Sequence, residues 1–229
     1  MKQILIPSGI EPVHSFDLWG TLVIQEVLGP RVLDAFQELM TGKDTPEIIA
    51  QKIVSYQGVL KGDKEALRHK KKHVDAVEDP LWPAYLRGEV DVDFKGTLYQ
   101  DTLDVMGQIA EAGEGLCILT TGKSPWVKKA LMSIDSRIGR TLSDVYSGDK
   151  SSPEVYEATA EDLKRKQAQM VSHTEDQMKG FEGILQSELK KQVELIYIER
   201  ADLATADEVL SQGIDHHVTD LTKMSYIRR

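Results

Sequence analysis

Cysteine is nearly absent from this chain: Cys117 stands alone among 229 residues. A single thiol cannot close an internal disulfide, so a disulfide-stapled scaffold is excluded and a reducing, cytoplasmic setting is expected. Positive charge is in deficit. Lys and Arg total 28 against 37 Asp and Glu, a formal charge of −9. Nucleic acid and anionic membrane surfaces would be repelled, and neither is expected as a partner. A small anionic substrate stays open, because one local cation suffices to hold it. Long hydrophobic runs are missing too: no stretch approaches the roughly 20 apolar residues that span a bilayer. The opening "MKQILIPSGIEP" is interrupted by Pro7 and Gly9 too soon to read as a signal peptide. Internal repeats and low-complexity tracts are likewise lacking.

What is present is material for a core, with 41% hydrophobic residues. "VHSF" is a short apolar run that ends at Asp17 and reads as a buried strand. From Gly29 to about Lys95 only helical periodicity appears. Val32, Leu33, Phe36, Leu39 and Met40 share one face, and Thr45-Pro46 reads as an N-cap with proline at the first helical position. "DKEALRHKKKHVDAVEDP" predicts a charged helix ending before Pro80, with "LWPAYLRGEV" as a further short element. After Gly96 helices and strands alternate. An amphipathic helix from Leu98 to Ala112 precedes the strand of "GLCILTTG". Then come the helix "SPWVKKALMSI", the strand of "LSDVYSGDK", the strand "VELIYIE", the helix "ATADEVLSQG" and a last strand in "HHVTDL". Alternation of this kind predicts an α/β fold, a Rossmann-like parallel sheet covered on both faces, whose ligands sit at the carboxyl ends of the strands. Asp17, Thr120, Lys150 and Glu199 all fall at or just beyond such ends. Residues 153–192 read as one long polar helix, or a helix pair broken near Gly180 and Gly183, packed on the sheet; a protruding arm for self-association is the alternative. The expected division is an α/β core over residues 1–22 and 96–229, with a helical insertion over 23–95.

Four short motifs lie at those strand ends in a fixed order. "FDLWGTL", "LTTG", "DKSSPEVY" and, more weakly, "IYIERAD" resemble the four motifs of the haloacid dehalogenase-like hydrolases. That superfamily includes phosphatases, phosphonate hydrolases, ATPases and dehalogenases. The resemblance implies that the helical insertion is the family's cap. It implies Asp17 as nucleophile, Thr120 as the hydroxyl that orients the transferring group, and Lys150 as the cation beside them. It implies that Trp19, Thr121 and Gly122 border the substrate. Mg²⁺ would be held by Asp17, the Trp19 carbonyl, Glu199 and Asp202. The chemistry suits these residue types. A carboxylate can attack phosphorus or an activated carbon to form an ester that water then cleaves. A lysine balances an anion in an acidic protein. Magnesium prefers one or two carboxylates plus substrate oxygens. Glu199 has another partner in reach along the chain, Arg200, with which it could form an ordinary ion pair.

Trp19 departs from the pattern. The family's phosphatases carry an aspartate two residues after the nucleophile, which protonates the leaving group and activates water. Trp19 can do neither. Three readings are open: a Mg²⁺-dependent phosphatase acting on a small molecule, a metal-independent 2-haloacid dehalogenase, or a catalytically impaired binding protein. The first is the expectation, in a monomer or homodimer. Three further signals carry no function. "TTGKS" resembles the end of a phosphate-binding loop, but that pattern needs glycine where the chain has Cys117. His69 and His73 are four apart, as metal ligands can be, yet the lysines of "RHKKKH" would repel a cation. His216 and His217 are adjacent on a strand and so point to opposite faces.

Overall fold

The computed structural model describes residues 4–122, 124–200 and 205–224. The chain divides into two compact units, Met1–Val23 with Leu98–Arg229, and Ile24–Thr97.

The second unit is helical: α1 (Gln25–Met40), α2 (Pro46–Leu60), α3 (Lys64–Arg68) and α4 (Lys70–Arg87). Leu28, Val32, Leu33, Phe36 and Leu39 of α1 are buried, following the helical spacing of the sequence. The α2 start also follows from sequence, with the Thr45 hydroxyl accepting from the Ile48 N–H at 3.5 Å and Pro46 in the first turn. The expected stop before Pro80 does not occur. α4 continues through Pro80 and Pro83 and ends at Gly88, whose φ is +77°. A mid-helix proline forfeits a backbone hydrogen bond. Here Val77, Leu81, Trp82, Ala84 and Tyr85 bury one face across both prolines, and that burial keeps the helix running. Glu78 accepts from the Tyr56 hydroxyl at 2.8 Å and the Trp82 indole N–H at 3.0 Å, which satisfies its inward carboxylate.

The first unit holds one parallel sheet of six strands: β1 (Glu11–Phe16), β2 (Gly115–Thr120), β3 (Leu142–Ser147), β4 (Ala168–Glu175), β5 (Glu194–Ile198) and β6 (His216–Val218). Their order is β3-β2-β1-β4-β5-β6, the Rossmann-like arrangement expected. α5 (Gln100–Glu111), α6 (Val127–Ile134), α7 (Ser136–Thr141), α8 (Pro153–Arg165), α9 (Glu182–Gln186) and α10 (Ala206–Ser211) connect the strands. β2 and β5 are buried along their whole length, as their continuous apolar runs require. No described helix is long and apolar enough to cross a membrane.

Residues 153–192 correct the expectation of a long helix or helix pair. α8 ends at Arg165, Gln167 takes a left-handed φ of +58°, and the chain then enters β4. After β4 come 3-10 turns at Met178–Phe181 and Glu188–Lys191, with the short α9 between them. β4 is no edge strand. It lies between β1 and β5 at the centre of the sheet.

Candidate active site

The strand order has a switch point. From β1 the chain winds one way to β2 and β3; β4, β5 and β6 are laid down on the other side of β1. Ligands of such sheets gather in the crevice at this reversal, outside the carboxyl ends of the strands. Asp17 follows β1 there, its backbone N–H bonded to the Thr174 carbonyl of β4 at 2.8 Å. Phe16 pairs with Thr174, so Asp17 and Glu175 leave their strands side by side. Asp176 follows at once. Asp17, Glu175 and Asp176 each offer a carboxylate oxygen within 4.8 Å of the others, a grouping able to hold a metal ion.

Lys150 completes the cluster. It lies beyond β3, and its Nζ donates to Asp17 Oδ1 at 2.5 Å and also to Glu175 Oε2. Lys150 is 6% exposed, Asp17 4% and Glu175 2%. Burial opposes ionisation of each carboxyl and is the leading cause at all three. It raises Asp17 to about 6 against the pull of Lys150. Glu175 is pushed well above its ordinary value by burial and by Asp17, and Asp176 is raised by burial as well. At Lys150 burial disfavours the charge, but Glu175 and Asp17 outweigh it and the ammonium is held above its usual value.

Close backbone approach shapes the cluster. Gly20 has φ +83°, and a Cβ there would collide with the Asp176 carboxylate. Thr21 Oγ1 donates to Asp176 Oδ1 at 3.3 Å. Gly180 packs against the Glu175 carboxylate in the same way, and Gly183 against the Lys150 and Ser152 carbonyls. The Gly183 N–H donates to the Lys150 carbonyl at 3.0 Å, which anchors the loop that carries the ammonium.

Thr120 ends β2 fully buried, and its hydroxyl has no hydrogen-bond partner among the described residues. A buried hydroxyl without a partner is costly, so its position at a strand's carboxyl end suits a ligand that would satisfy it. Thr121 and Gly122 follow as exposed residues. Trp19 is half-buried and leans on the buried Trp126, ring centroids 6.1 Å apart at 58°.

The sequence thus brings Asp17 and Lys150 into direct contact, but the acidic motif is corrected. Glu199 stands beyond β5, one strand further from β1, and its carboxylate meets His217 Nε2 at 3.1 Å. It does not belong to the carboxylate cluster. Asp202 lies outside the described residues. The expected alternative partner of Glu199, Arg200, instead pairs with Asp101 at 2.8 Å. Among the described residues it is Glu175 and Asp176, not Glu199, that stand beside Asp17. The available signal was "TEDQMKG", adjacent carboxylates followed by a glycine, inside a stretch read as helix.

A parallel Rossmann-like sheet with a carboxylate and a lysine facing each other at its switch point defines an α/β class with a polar site at the carboxyl ends of its strands. The family follows from the sequence match. The chain belongs to the haloacid dehalogenase-like hydrolases, whose model matches residues 15–187. Solved structures share its fold at low identity. CbbY from Rhodobacter sphaeroides, in complex with phosphate, is 17% identical with a TM-score of 0.53, covering 93% of this chain and 96% of that one. YfnB from Bacillus subtilis, bound to magnesium, is 14% identical with a TM-score of 0.53, covering 93% and 96%. A predicted phosphoglycolate phosphatase from Haemophilus somnus is 13% identical with a TM-score of 0.50, covering 92% and 95%. No curated protein matches the chain.

Proposed function

We propose that this hydrolase is a Mg²⁺-dependent phosphatase that cleaves small phosphate monoesters with good leaving groups. One observation carries the reading: the buried cluster at the switch point sets three carboxylates against a single ammonium. With all three ionised two negative charges would remain, the charge one divalent cation balances, and such a cation would offset the burial that opposes their ionisation. Oxygen donors of this kind are what magnesium prefers. Lys150 bonds one oxygen each of Asp17 and Glu175. The remaining oxygen of Asp17 and the carboxylate of Asp176, which Lys150 does not bond, are with the Trp19 carbonyl the groups that would hold the ion. Bound there, Mg²⁺ would supply positive charge to the phosphoryl oxygens.

The chain's own residues account for the remaining chemistry. Asp17 is ionised at neutral pH yet more basic than an ordinary carboxylate, because its carboxyl is raised to about 6. It attacks phosphorus, the bond to the leaving oxygen breaks, and an aspartyl phosphate forms. Water then attacks that phosphorus, releasing phosphate and restoring Asp17. Lys150 offsets charge on Asp17 and the phosphoryl group. The unpartnered Thr120 hydroxyl donates to a phosphoryl oxygen and orients it. Trp19 supplies no proton, so the leaving group departs as its anion. The helical unit takes the role of the cap.

A haloacid dehalogenase is disfavoured by the same cluster. Halide displacement needs no metal, and the surplus negative charge beside Asp17 would repel the substrate's carboxylate. The deciding measurement assays the purified protein for phosphate release from p-nitrophenyl phosphate and for halide release from a 2-haloacid, each with Mg²⁺ and with chelator. Phosphate release that requires Mg²⁺ is the expected result. Halide release unaffected by chelator would replace this reading.

A further inference from the structure

Tyr156 of α8 is completely buried, yet it takes no part in the chemistry above. Its hydroxyl donates to the Gly180 carbonyl, and the same oxygen lies 3.4 Å from His173 Nε2. His173 Nδ1 in turn meets Ser15 Oγ at 3.1 Å. One phenolic proton cannot serve two acceptors. With that proton on the Gly180 carbonyl, His173 carries its own proton on Nε2 and donates it to the tyrosine oxygen. Nδ1 then accepts from the Ser15 hydroxyl. The chain of donors therefore runs one way, from β1 through β4 to α8, and ends on Gly180. Edge-on packing of the His173 ring against Tyr156 and Phe181 holds the imidazole in place.

Gly180 is the residue against which the Glu175 carboxylate rests. Glu175 bonds Lys150, and Lys150 bonds Asp17. The same short segment grips Lys150 from its other end, through the Gly183 N–H on the Lys150 carbonyl. We propose that Tyr156 is a positioning residue: by fixing the Gly180 carbonyl it holds the wall that keeps Glu175 on Lys150, and so keeps Lys150 on Asp17. That Asp17 and Lys150 are the reacting pair rests on the function proposed above; the placement of Lys150 does not.

The test therefore reads Lys150 directly as well as through turnover. Wild type, Tyr156→Phe, Gly180→Ala and the double variant are labelled with an N-hydroxysuccinimide ester of acetate, and Lys150 acetylation is timed by mass spectrometry. Tyr146→Phe is the structural control, since its hydroxyl bonds Asp162 at 2.8 Å beside the edge strand β3. Maleimide labelling of the buried Cys117 reports general opening of the sheet. Tyr156→Phe should speed Lys150 acetylation about fivefold, the effect of one ordinary hydrogen bond, and lower kcat on p-nitrophenyl phosphate by a similar factor with KM little changed. Cys117 labelling and the Tyr146→Phe protein should match wild type. Gly180→Ala should act in the same direction, and the double variant should be no worse than Gly180→Ala alone. Lys150 labelled no faster in Tyr156→Phe than in Tyr146→Phe, or Lys150 and Cys117 accelerating together, would overturn the proposal. If wild type releases no phosphate the proposed function falls, and the labelling rates still decide the role of Tyr156.

Discussion

At the scale of single residues, the site is a buried carboxylate cluster whose members are unequal. Lys150 takes up Glu175, while Asp176 is held by Thr21 and stands against Gly20. This inequality makes Gly20 a sensitive position. In Gly20→Ala the added methyl meets the Asp176 carboxylate at a left-handed φ of +83°. A cost of about 1–2 kcal/mol is expected from the backbone conformation alone. Calorimetry should show weakened Mg²⁺ binding in addition. A lower melting temperature with unchanged Mg²⁺ affinity would remove Asp176 from the metal ligands. Trp19 gives the second prediction. With no proton donor there, wild type should cleave an aryl phosphate far better than an alkyl phosphate. Trp19→Asp should narrow the gap, since a positioned general acid contributes about 10²–10⁴-fold. Paired kinetics on the two esters measures it, and an unchanged ratio would show that proton donation does not limit the reaction. Asp17, Thr120 and Lys150 were legible as site candidates because each is a polar residue at or beyond the end of a readable strand. Glu175 and Asp176 were not, because their strand was unreadable.

At the scale of elements, β4 explains that blindness. Its sequence "AQMVSHTE" has few apolar residues, and yet Ser172, His173, Thr174 and Glu175 are all buried. Three of these four side chains find partners on other elements, while the Thr174 hydroxyl has none among the described residues. Ser172 Oγ meets His14 Nδ1 at 2.8 Å, His173 meets Ser15, and Glu175 meets Lys150. A polar strand can occupy the centre of a sheet when hydrogen bonds replace those lost to water. Periodicity carries no trace of such partners. With β4 unseen, β5 becomes the apparent neighbour of β1, and Glu199 moves falsely to the switch point. A second element-scale feature is the clasp beyond β5. Arg200 bonds Asp101 through two nitrogens, donates to Thr102 Oγ1 at 2.8 Å and lies 4.0 Å over the Tyr99 ring. Thr102 Oγ1 bonds the Thr21 carbonyl at 2.8 Å, and the Tyr99 N–H bonds the Leu22 carbonyl at 3.0 Å. One arginine thus ties the end of β5 to the start of α5 and to the loop that follows Asp17. Arg200→Met should cost about 1–3 kcal/mol in denaturant unfolding, because it removes the charge partner of the half-buried Asp101 and leaves it only the Thr102 and Leu221 backbone N–H donors. A cost below about 0.5 kcal/mol, as for an exposed pair, would show that the clasp carries little.

At the scale of the whole molecule, the site sets stability against function. Asp17 is raised from 3.8 to about 6, chiefly by burial. Between those values the folded chain binds more protons than the unfolded one. Its contribution to stability is therefore greatest on the acid side and is lost as pH rises through 6. Asp17→Asn removes that loss. The metal-free variant should melt higher than metal-free wild type at pH 7.5, by a few degrees for an effect on the order of 1 kcal/mol, and the gain should vanish near pH 4. Phosphate release should disappear in the same variant. Mg²⁺ at about 100 times its Kd should stabilise wild type by about 2.7 kcal/mol, and Asp17→Asn much less. Equal melting of the two proteins across this pH range would show that Asp17 carries no burial penalty. The sequence by itself determined the fold class, five of the six described strands, the helical periodicity from Gly29 to about Lys95 and the pairing candidates Asp17 and Lys150. Each of these rests on local information: apolar runs, helical spacing, caps, and polar residues placed at strand ends. Only the tertiary structure decided that α4 runs through two prolines, that a polar strand lies at the sheet's centre, and which carboxylates face Asp17. Those outcomes depend on burial and on partners more than a hundred residues apart, such as Ser15 with His173 and Asp17 with Lys150. Local pattern records whether a segment can bury its own apolar face, but not whether a distant side chain will satisfy its polar one.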